Sequence, residues 1–394
     1  MSILTGLALI PLVVWAALLS LRGGFWRADQ QLKTPGFLDS SADRERWPSV
    51  IAVIPARNEA KTVGKVVSSL LVQDYPGAFG VVLVDDGSDD GTAEKAGKAA
   101  NGSVRFSVIK GKPLAPGWTG KLWAMAQGLE QAALTAPDCV YVLLCDADIV
   151  HDPANLRRLV AKAEGEALDM VSLMVMLRCK NFWERLLIPA FVFFFQKLYP
   201  FPWVNDPLDR TAAAAGGCML VRRSAIDKAG GLEAIRSRLI DDCALAALIK
   251  KNGPIWLGLT EHVHSLRAYK RLGEIRSMVA RTAFVQLNYS VWRLVGAVFA
   301  MILTYLGPPS AAVAGIFMGD PLMFLGGVIA WFLMVFAYDP TLELYGQPAW
   351  RGMLLPLAAL LYTLMTVDSA IQHWRGRGGM WKGRSYGTPT DGGG

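Results

Sequence analysis

Three stretches of this 394-residue chain contain no charged residue and are each close to the length of a membrane-crossing helix. They cover residues 3–21, 294–319 and 321–338, which are 19, 26 and 18 residues long. A helix needs about 20 apolar residues to cross the hydrocarbon core of a bilayer. A fourth stretch, residues 352–367, has only 16 residues and is either a marginal span or a re-entrant hairpin. The chain is therefore predicted to have transmembrane helices at both ends and a globular domain between them.

Basic residues next to the first stretch predict how the chain lies in the membrane. Arg22, Arg27 and Lys33 follow it and no basic residue precedes it, which predicts a retained anchor whose carboxyl end is cytoplasmic. Three carboxyl-terminal spans would place the basic tail outside, against the same rule, whereas a re-entrant fourth stretch would return it to the cytoplasm. The predicted organisation is an anchor (1–22), a linker (23–47), a cytoplasmic domain (48–290), carboxyl-terminal transmembrane helices (291–374) and a basic, glycine-rich tail (375–394).

The net charge of +7 does not indicate a nucleic-acid partner. Only 19% of the residues are charged and 53% are hydrophobic, and the basic residues cluster beside the apolar stretches, where they would face anionic lipid headgroups. The five cysteines show no C-x-x-C spacing, which favours reduced thiols over disulfides or a zinc site. The composition therefore predicts contact with a bilayer and no binding of nucleic acid.

Strand and helix patterns alternate from residue 50 onward. The predicted strands are unbroken apolar runs, at residues 50–54, 81–84, 104–109 and 141–144. Helical spacing of apolar residues follows at 61–73, from 93 and at 120–133. This alternation predicts an α/β fold with a mainly parallel sheet and helices on both faces. No G-x-G-x-x-G follows any of these strands, so a dinucleotide oxidoreductase has no support.

Two aspartates follow the strand at 141–144. Asp146 and Asp148 lie at its carboxyl end, the edge at which open α/β sheets bind ligands. Alternate residues of an extended chain point the same way, so the two carboxylates can share one cation. Hard oxygen ligands suit Mg²⁺ or Mn²⁺. The simpler alternative is that two aspartates merely end a strand.

The loop after the second strand is rich in aspartate. It runs D-D-G-S-D-D-G-T from Asp85 to Thr92 and superficially resembles a calcium loop. The twelfth position is Ala96 instead of the bidentate Glu of an EF-hand, and a strand precedes the loop. A nucleotide role is more attractive, because adjacent carboxylates can accept hydrogen bonds from a base N–H and from ribose hydroxyls.

Three motifs in order carry a family resemblance. V-I-P-A-R-N-E at 53–59, V-D-D-G-S-D-D-G-T at 84–92 and D-A-D at 146–148 resemble the signatures of family 2, GT-A fold, inverting glycosyltransferases. The resemblance implies a Rossmann-like sheet, a UDP-sugar donor and a divalent metal. Residues implied to bind the nucleotide-sugar are Pro55, Arg57, Glu59, Asp85, Asp86, Lys121, Asp146 and Arg281. Residues implied to hold the metal are Asp146 and Asp148.

The same resemblance implies the remaining roles. Asp242, in L-I-D-D-C at 239–243, matches the aspartate that acts as general base, and Asp241 stands where the family usually has Glu. The simpler alternative for Lys121 is a solvent-exposed lysine at the start of a helix. The simpler alternative for Asp242 is an ordinary helix N-cap. Arg281 matches the arginine of Q-x-x-R-W, but Met278 and Thr282 replace the other two residues. The missing Trp makes a processive polysaccharide synthase less attractive than a single transfer to a lipid.

A closer resemblance is to the hopene-associated glycosyltransferases, most distinctively over residues 186–223. It implies a multi-pass protein of the bacterial inner membrane that moves one sugar, from a UDP-glucose or UDP-GlcNAc type donor, to a lipid hydroxyl of the hopanoid or polyprenyl type. Open alternatives are a ceramide- or polyprenyl-phosphate-type transferase, and a catalytically inactive scaffold that binds nucleotide-sugar. The aromatic segment 182–204 is predicted to lie in the headgroup plane or to form a buried core helix. The W-K-G-R-x-Y at 381–386 is expected near the catalytic face.

Overall fold

The computed structural model describes residues 3–32 and 46–376, together with the backbone of 380–381 and 384–385. The predicted tail motif at 381–386 thus lies largely outside the described residues. The strands are β1 (Val50–Ala56), β2 (Phe79–Asp85), β3 (Phe106–Lys110), β4 (Tyr141–Cys145), β5 (Ile149–His151), β6 (Met170–Met176), β7 (Cys218–Arg222), β8 (Ile255–Ser265) and a short hairpin of β9 (Met380–Trp381) and β10 (Arg384–Ser385).

Helices separate most of the strands. They are α1 (Ile3–Ala8), α2 (Ile10–Leu21), α3 (Val63–Leu71), α4 (Thr92–Ala100), α5 (Gly120–Thr135), α6 (Asn155–Gly165), α7 (Phe182–Leu198), α8 (Phe201–Asn205), α9 (Arg223–Lys228), α10 (Asp241–Lys250), α11 (Leu272–Gln286), α12 (Val291–Met301), α13 (Gly307–Met318), α14 (Pro321–Leu344) and α15 (Leu355–Trp374). Short 3₁₀ turns cover Phe25–Arg27, Leu232–Ile235 and Ala349–Leu354, and a π-helical turn, Ile302–Leu306, joins α12 to α13.

Eight strands form one mixed sheet in the order β3-β2-β1-β4-β7-β6-β8-β5. Strands β3, β2, β1 and β4 are parallel neighbours, and β7 runs antiparallel to both β4 and β6. The predicted mainly parallel α/β sheet of the GT-A kind is confirmed. In register, Ala56 pairs with Asp85, and Cys145 pairs with Cys218. The chain segments that follow β1, β2 and β4 therefore meet at one edge, beside the glycines that precede β7.

Side chains alternate between two hydrophobic layers, one on each face of the sheet. Val53 belongs to the layer under α5, and Ile54 belongs to the layer under α3. Helix α5 lies very close to the sheet at Gly128, where an added Cβ would come within 2.3 Å of Val53. Because Gly has no side chain, it permits this approach. The layer under α5 continues into the carboxyl-terminal helices without a break.

Four helical segments among the described residues are long and apolar enough to cross a membrane. They are Ile3–Leu21, Val291–Met318, Pro321–Leu344 and Ala349–Trp374, and the last contains 26 residues. This fourth segment is longer than the 16-residue apolar stretch in the sequence because polar residues at both ends also adopt helical structure. Its length therefore allows a full span, and the side of the membrane on which the tail lies stays a prediction.

Helix α7 contains the aromatic segment and lies between the sheet domain and the apolar helices. Its buried Phe193 contacts Phe25, with ring centroids 5.4 Å apart, and Tyr338 of α14, at 5.1 Å. The hydroxyl of Tyr362 in α15 donates to the carbonyl of Leu187 at 2.9 Å. Of the two predicted alternatives, the structure gives a helix whose inner face is buried by protein. Its depth relative to lipid headgroups stays a prediction.

A buried carboxylate fixes the start of α7. Glu184 has no exposed surface, and it accepts hydrogen bonds from the backbone N–H groups of Lys180, Asn181 and Tyr269 and from the Arg178 side chain.

We expect Glu184→Ala to lower stability by about 3–5 kcal/mol, because the arginine and three N–H groups lose their acceptor. The melting temperature in detergent measures this loss. Glu166→Ala removes a half-exposed helix ion pair and should change the melting temperature little. Equal melting temperatures for the two variants would contradict the expectation.

Candidate active site

The predicted residues meet at the edge where β1, β2 and β4 end. The Asp146 amide donates to the carbonyl of Gly217 at 3.4 Å, which ties the segment after β4 to the glycines before β7. The Thr62 hydroxyl donates to the carbonyl of Ala147 at 3.0 Å, which ties the same segment to the loop after β1. The edge is therefore a continuous, hydrogen-bonded rim built from distant parts of the chain.

Lys121 lies at the centre of an acidic cluster. Its Nζ is 3.0 Å from Asp146 Oδ1 and 3.1 Å from Asp241 Oδ2. Although burial lowers the pKa of Lys121, the charges of the surrounding aspartates raise it overall. The alternative of a solvent-exposed lysine is thus wrong for this chain, since Lys121 is held, charged, between Asp146 and the start of α10.

Asp242 is held by backbone donors in the first turn of α10. Its Oδ2 accepts from the Gly216 amide, and its Oδ1 accepts from the Cys243 amide, both at 2.8 Å. Burial, and then the negative charge of Asp241, raise the pKa of Asp242 to about 6, against the opposing charge of Lys121. A Cβ on Gly216 would lie 3.2 Å from Asp242 Oδ2, so the glycine gives this carboxylate its space. A carboxyl group with a pKa near neutrality suits proton transfer.

Asp148 is paired with an arginine that the sequence did not single out. Arg267, just after β8, donates from Nε to Asp148 Oδ2 at 2.7 Å and from Nη2 to Glu59 Oε1 at 2.9 Å. Burial raises the pKa of Asp148; Arg267 opposes this effect and the charge of Asp146 adds to it. The two predicted metal aspartates therefore sit in separate ion pairs, one with Lys121 and one with Arg267.

The loops after β1 and β2 are joined to each other. The Arg57 side chain donates to the Asp86 carbonyl and, at 3.2 Å, to the Gly87 carbonyl. The Glu59 amide donates to the Thr92 hydroxyl at 2.9 Å. Gly87 has a φ of +68°, a backbone conformation that favours glycine. Arg57, Glu59 and the aspartate-rich loop thus form one unit beside the Asp148 pair.

The remaining predicted residues lie less close to this cluster. Asp85 ends β2, and its Oδ1 accepts from the Ser88 amide at 3.2 Å. Asp86 is 1% exposed, which places its carboxylate within the loop. Pro55 is buried inside β1. Arg281 is exposed on α11, and its charge lowers the pKa of Tyr269 against the larger effect of burial.

Comparison with known families identifies this part of the chain. Residues 51–230 match the model of the glycosyl transferase family 2. This match covers a little under half of the 394 residues. The matched range contains the loops predicted to bind nucleotide, Lys121 and both aspartates predicted to bind metal. Four further site residues follow it in the chain: Asp241, Asp242, Arg267 and Arg281.

Two curated proteins to which this chain is similar differ in how much of it their alignments cover. The undecaprenyl-phosphate 4-deoxy-4-formamido-L-arabinose transferase of Pseudomonas aeruginosa is 28% identical over 329 residues, which are 81% of each protein. The beta-monoglucosyldiacylglycerol synthase of Synechocystis is 30% identical over 156 residues, which are 39% of this chain and 31% of that protein. Among solved structures, the mannosyltransferase PcManGT from Pyrobaculum calidifontis, in complex with GDP-Man and Mn²⁺, aligns with a TM-score of 0.46 at 18% identity, over 92% of this chain and 99% of that one.

The carboxylates at this sheet edge fit a divalent cation that takes some of its ligands from other molecules. Among the described residues, no group of three or more His, Cys, Asp and Glu side chains comes together to hold a metal ion. The protein can supply Asp146 and Asp148, and Mg²⁺ or Mn²⁺ commonly takes its other ligands from water and phosphate. A cation bound by Asp148 competes with Arg267 for the same carboxylate oxygen.

Sequence reasoning missed a second supporting contact besides Arg267. Behind the metal aspartates, the Cys145 thiol lies 3.1 Å from Nε2 of His151, and Asn155 lies 3.0 Å from the other ring nitrogen. Burial lowers the pKa of His151 to about 4, so this imidazole is neutral at physiological pH. The signal was faint, because a single His near a strand end is common in ordinary cores.

We expect Arg267→Ala to strengthen Mn²⁺ binding in the absence of nucleotide by about tenfold, because the variant removes a charged hydrogen bond that occupies Asp148. Electron paramagnetic resonance of free Mn²⁺ measures the affinity. Arg271→Ala is the matched control, because it removes an exposed basic residue from the same segment. Weaker Mn²⁺ binding by Arg267→Ala would show that the arginine supports the site and does not compete for it.

Proposed function

We propose that this chain is a membrane-bound, metal-dependent, inverting glycosyltransferase that moves one sugar from a UDP-sugar to a hydroxyl of a membrane lipid. The observation that carries the proposal is the Asp242 carboxylate, which is held by two backbone amides at the same sheet edge as Lys121 and the metal aspartates. The residues proposed as the general base, as the metal ligands and as the nucleotide-binding loop therefore lie at one edge of the sheet.

The donor is held by the loops after β1 and β2. Asp85 offers acceptors for a base N–H and ribose hydroxyls, and Gly87 lets the backbone approach the nucleotide closely. Asp86 is assigned to the same nucleotide by family resemblance, and this role requires its buried carboxylate to turn outward. Arg57, already bonded to the carbonyls of this loop, keeps its shape. Arg281 is assigned to the diphosphate by family resemblance, and this role requires the exposed side chain to turn toward the nucleotide.

The leaving group is stabilised by cations. Asp146 and Asp148 would hold a divalent metal, which would supply Lewis-acid stabilisation of the diphosphate when bound. Lys121, fixed between Asp146 and Asp241, adds a positive charge at the same place. Because Lys121 is in position before negative charge develops on the diphosphate, it lowers the barrier without rearrangement.

Asp242 removes the proton of the acceptor hydroxyl while its oxygen attacks the anomeric carbon. The bond from that carbon to the nucleotide diphosphate breaks as the new glycosidic bond forms, and the proton moves to Asp242. A single displacement of this kind inverts the anomeric centre. An α-linked product from an α-UDP-sugar would contradict the proposal.

A lipid acceptor is supported by the joining of the domain to the apolar helices and by the names of the relatives. One hydrophobic cluster contains residues of both parts, and relatives are named for undecaprenyl phosphate and for monoglucosyldiacylglycerol. We place the enzyme in the bacterial inner membrane with its domain in the cytoplasm. Within this class, a hopanoid hydroxyl is the acceptor that the sequence resemblance favours.

A polyprenyl phosphate acceptor is the second candidate, because the relative that covers 81% of each chain carries that name. A phosphate oxygen is already ionised and attacks without a general base, whereas a hydroxyl needs one. Asp242→Asn therefore separates the two candidates.

The direct test uses purified protein in detergent, a panel of labelled UDP-sugars, Mg²⁺ or Mn²⁺, and total membrane lipid. Label in a lipid with wild-type protein, and not with Asp242→Asn, supports transfer to a hydroxyl and identifies the sugar and lipid together. Metal-dependent UDP-sugar binding by both proteins without any transfer would instead favour a scaffold that binds nucleotide-sugar.

A further inference from the structure

Lys197, in the last turn of α7, places its ammonium among aromatic rings. Its Nζ lies 4.5 Å from the ring centroid of Tyr305 and 5.8 Å from that of Phe194. Tyr305 belongs to the π-helical turn of the second candidate span, and its ring also meets Trp15 of the first, with centroids 5.7 Å apart. The lysine thus points into the junction between α7 and two apolar helices.

A second cation lies at the same end of α7. Arg22, which directly follows the first candidate span, donates to the carbonyls of Lys197 at 3.2 Å and Leu198 at 3.1 Å. Its guanidinium stacks on Trp203, 4.9 Å from the ring centroid. Carbonyls at a helix carboxyl end attract cations, which accounts for Arg22. They do not account for Lys197, whose ammonium points at rings.

No negative charge balances the two cations. Within the described part of the chain, neither forms an ion pair with a carboxylate, and their contacts are carbonyls and aromatic rings. Burial, and then the positive charge of Arg22, lower the pKa of Lys197 to about 7. The Tyr305 hydroxyl is buried and has no hydrogen-bond partner among the described residues. Buried polar and charged groups without partners are costly.

We propose that Lys197, Arg22 and the Tyr305 hydroxyl form a binding site for the phosphate of a membrane lipid. The site lies at the predicted cytoplasmic end of the first span, the level at which lipid phosphates are found. A phosphate accepts from two cations and a hydroxyl at once, and charged hydrogen bonds to it are strong. π-Helical turns often occur at functional sites.

The site lies against the apolar helices, whereas the side chain of Tyr199 in the same segment lies near the catalytic cluster. The Tyr199 hydroxyl accepts from Gln286 at 2.6 Å, and burial, followed by the charges of Cys243 and Asp242, raises the pKa of this tyrosine. The end of α7 therefore links a lipid phosphate on one side with the general base on the other. The inference depends on the two cations and not on sugar transfer.

Native mass spectrometry of delipidated protein in detergent tests the site with four probes, namely phosphatidylglycerol and diacylglycerol of equal chain length, and undecaprenyl phosphate and undecaprenol. We expect the wild type to retain one phosphate-bearing lipid and Lys197→Met to bind it at least about tenfold more weakly. Lys251→Met removes an exposed lysine and should bind as the wild type does. Tighter retention of undecaprenyl phosphate assigns the phosphate to a polyprenyl acceptor, and equal retention assigns it to bulk lipid.

Melting temperatures keep the test decisive if binding is weak. Without lipid, Lys197→Met should melt higher than the wild type, because it removes a partly buried cation that lacks an anion. Phosphatidylglycerol should raise the melting temperature of the wild type and not that of the variant. A variant that melts lower without lipid, or binds all four probes as the wild type does, would show that Lys197 only packs against its rings.

Discussion

Asp242→Asn should lower the rate of sugar transfer by about 10²- to 10⁴-fold, the usual contribution of a general base. The asparagine amide has the same shape and keeps one oxygen for the Gly216 or Cys243 amide, so the start of α10 should remain folded. It cannot accept the hydroxyl proton. Donor affinity, measured by calorimetry with UDP, should change little because the base contacts the acceptor.

The pH dependence of transfer supplies a second readout for the same residue. The pKa of Asp242 is raised to about 6 by burial and by Asp241, and only the ionised carboxylate accepts a proton. Wild-type kcat/KM should therefore be constant above pH 7 and should fall about tenfold per pH unit well below pH 6. Asp242→Asn should lack this acid limb, because no carboxylate remains to be protonated.

Asp227→Asn is the matched control for this variant, since Asp227 is exposed on α9. It should keep the wild-type rate and the wild-type acid limb. A rate for Asp242→Asn within threefold of the wild type would rule out the general-base role and favour an acceptor that is already ionised, such as a lipid phosphate.

The sequence predicted the parts of the site that depend on local pattern. In the sequence, β2 and β4 both appear as apolar runs that are followed by acidic residues, Asp85 and Asp146. Parallel strands bring such ends to the same edge of the sheet. The ion pairs of Arg267 could not be found in this way. Arg267 is separated from Asp148 by 119 positions in the sequence and from Glu59 by 208. Only the pairing of β8 with β6 and β5 brings this arginine to the edge.

Helix α7 shows why apolar composition did not decide between lipid and protein surroundings. Phe193 is buried against Tyr338 of a candidate membrane span. A side chain that faced lipid would be equally apolar, so composition does not distinguish the two surroundings. In the sequence, Gln196 and Lys197 follow the apolar run at residues 186–195. Gln196 is 2% exposed and donates to the Thr341 hydroxyl at 3.3 Å, so these polar residues lie inside the contact with the spans.

Asp148→Asn should reduce transfer by about 1,000-fold or more, because a bound metal contributes several kcal/mol to stabilising the charge on the leaving group and each 1.36 kcal/mol is a factor of ten. The amide is neutral and a poorer ligand for a hard cation, so Mn²⁺ affinity should fall with the rate. Electron paramagnetic resonance of free Mn²⁺, with and without UDP, separates loss of metal from loss of chemistry.

Asp89→Asn controls for removal of a carboxylate from the same sheet edge, since Asp89 is exposed, and it should bind Mn²⁺ as the wild type does. The double variant with Arg267→Ala gives the sharper test, because coupled residues show non-additive effects. If the arginine and the metal compete for the Asp148 carboxylate, Arg267→Ala strengthens Mn²⁺ binding in the wild type and has no such effect in Asp148→Asn. The same gain in both backgrounds would mean that Arg267 repels the metal through charge alone and that Asp148 is not the ligand for which they compete.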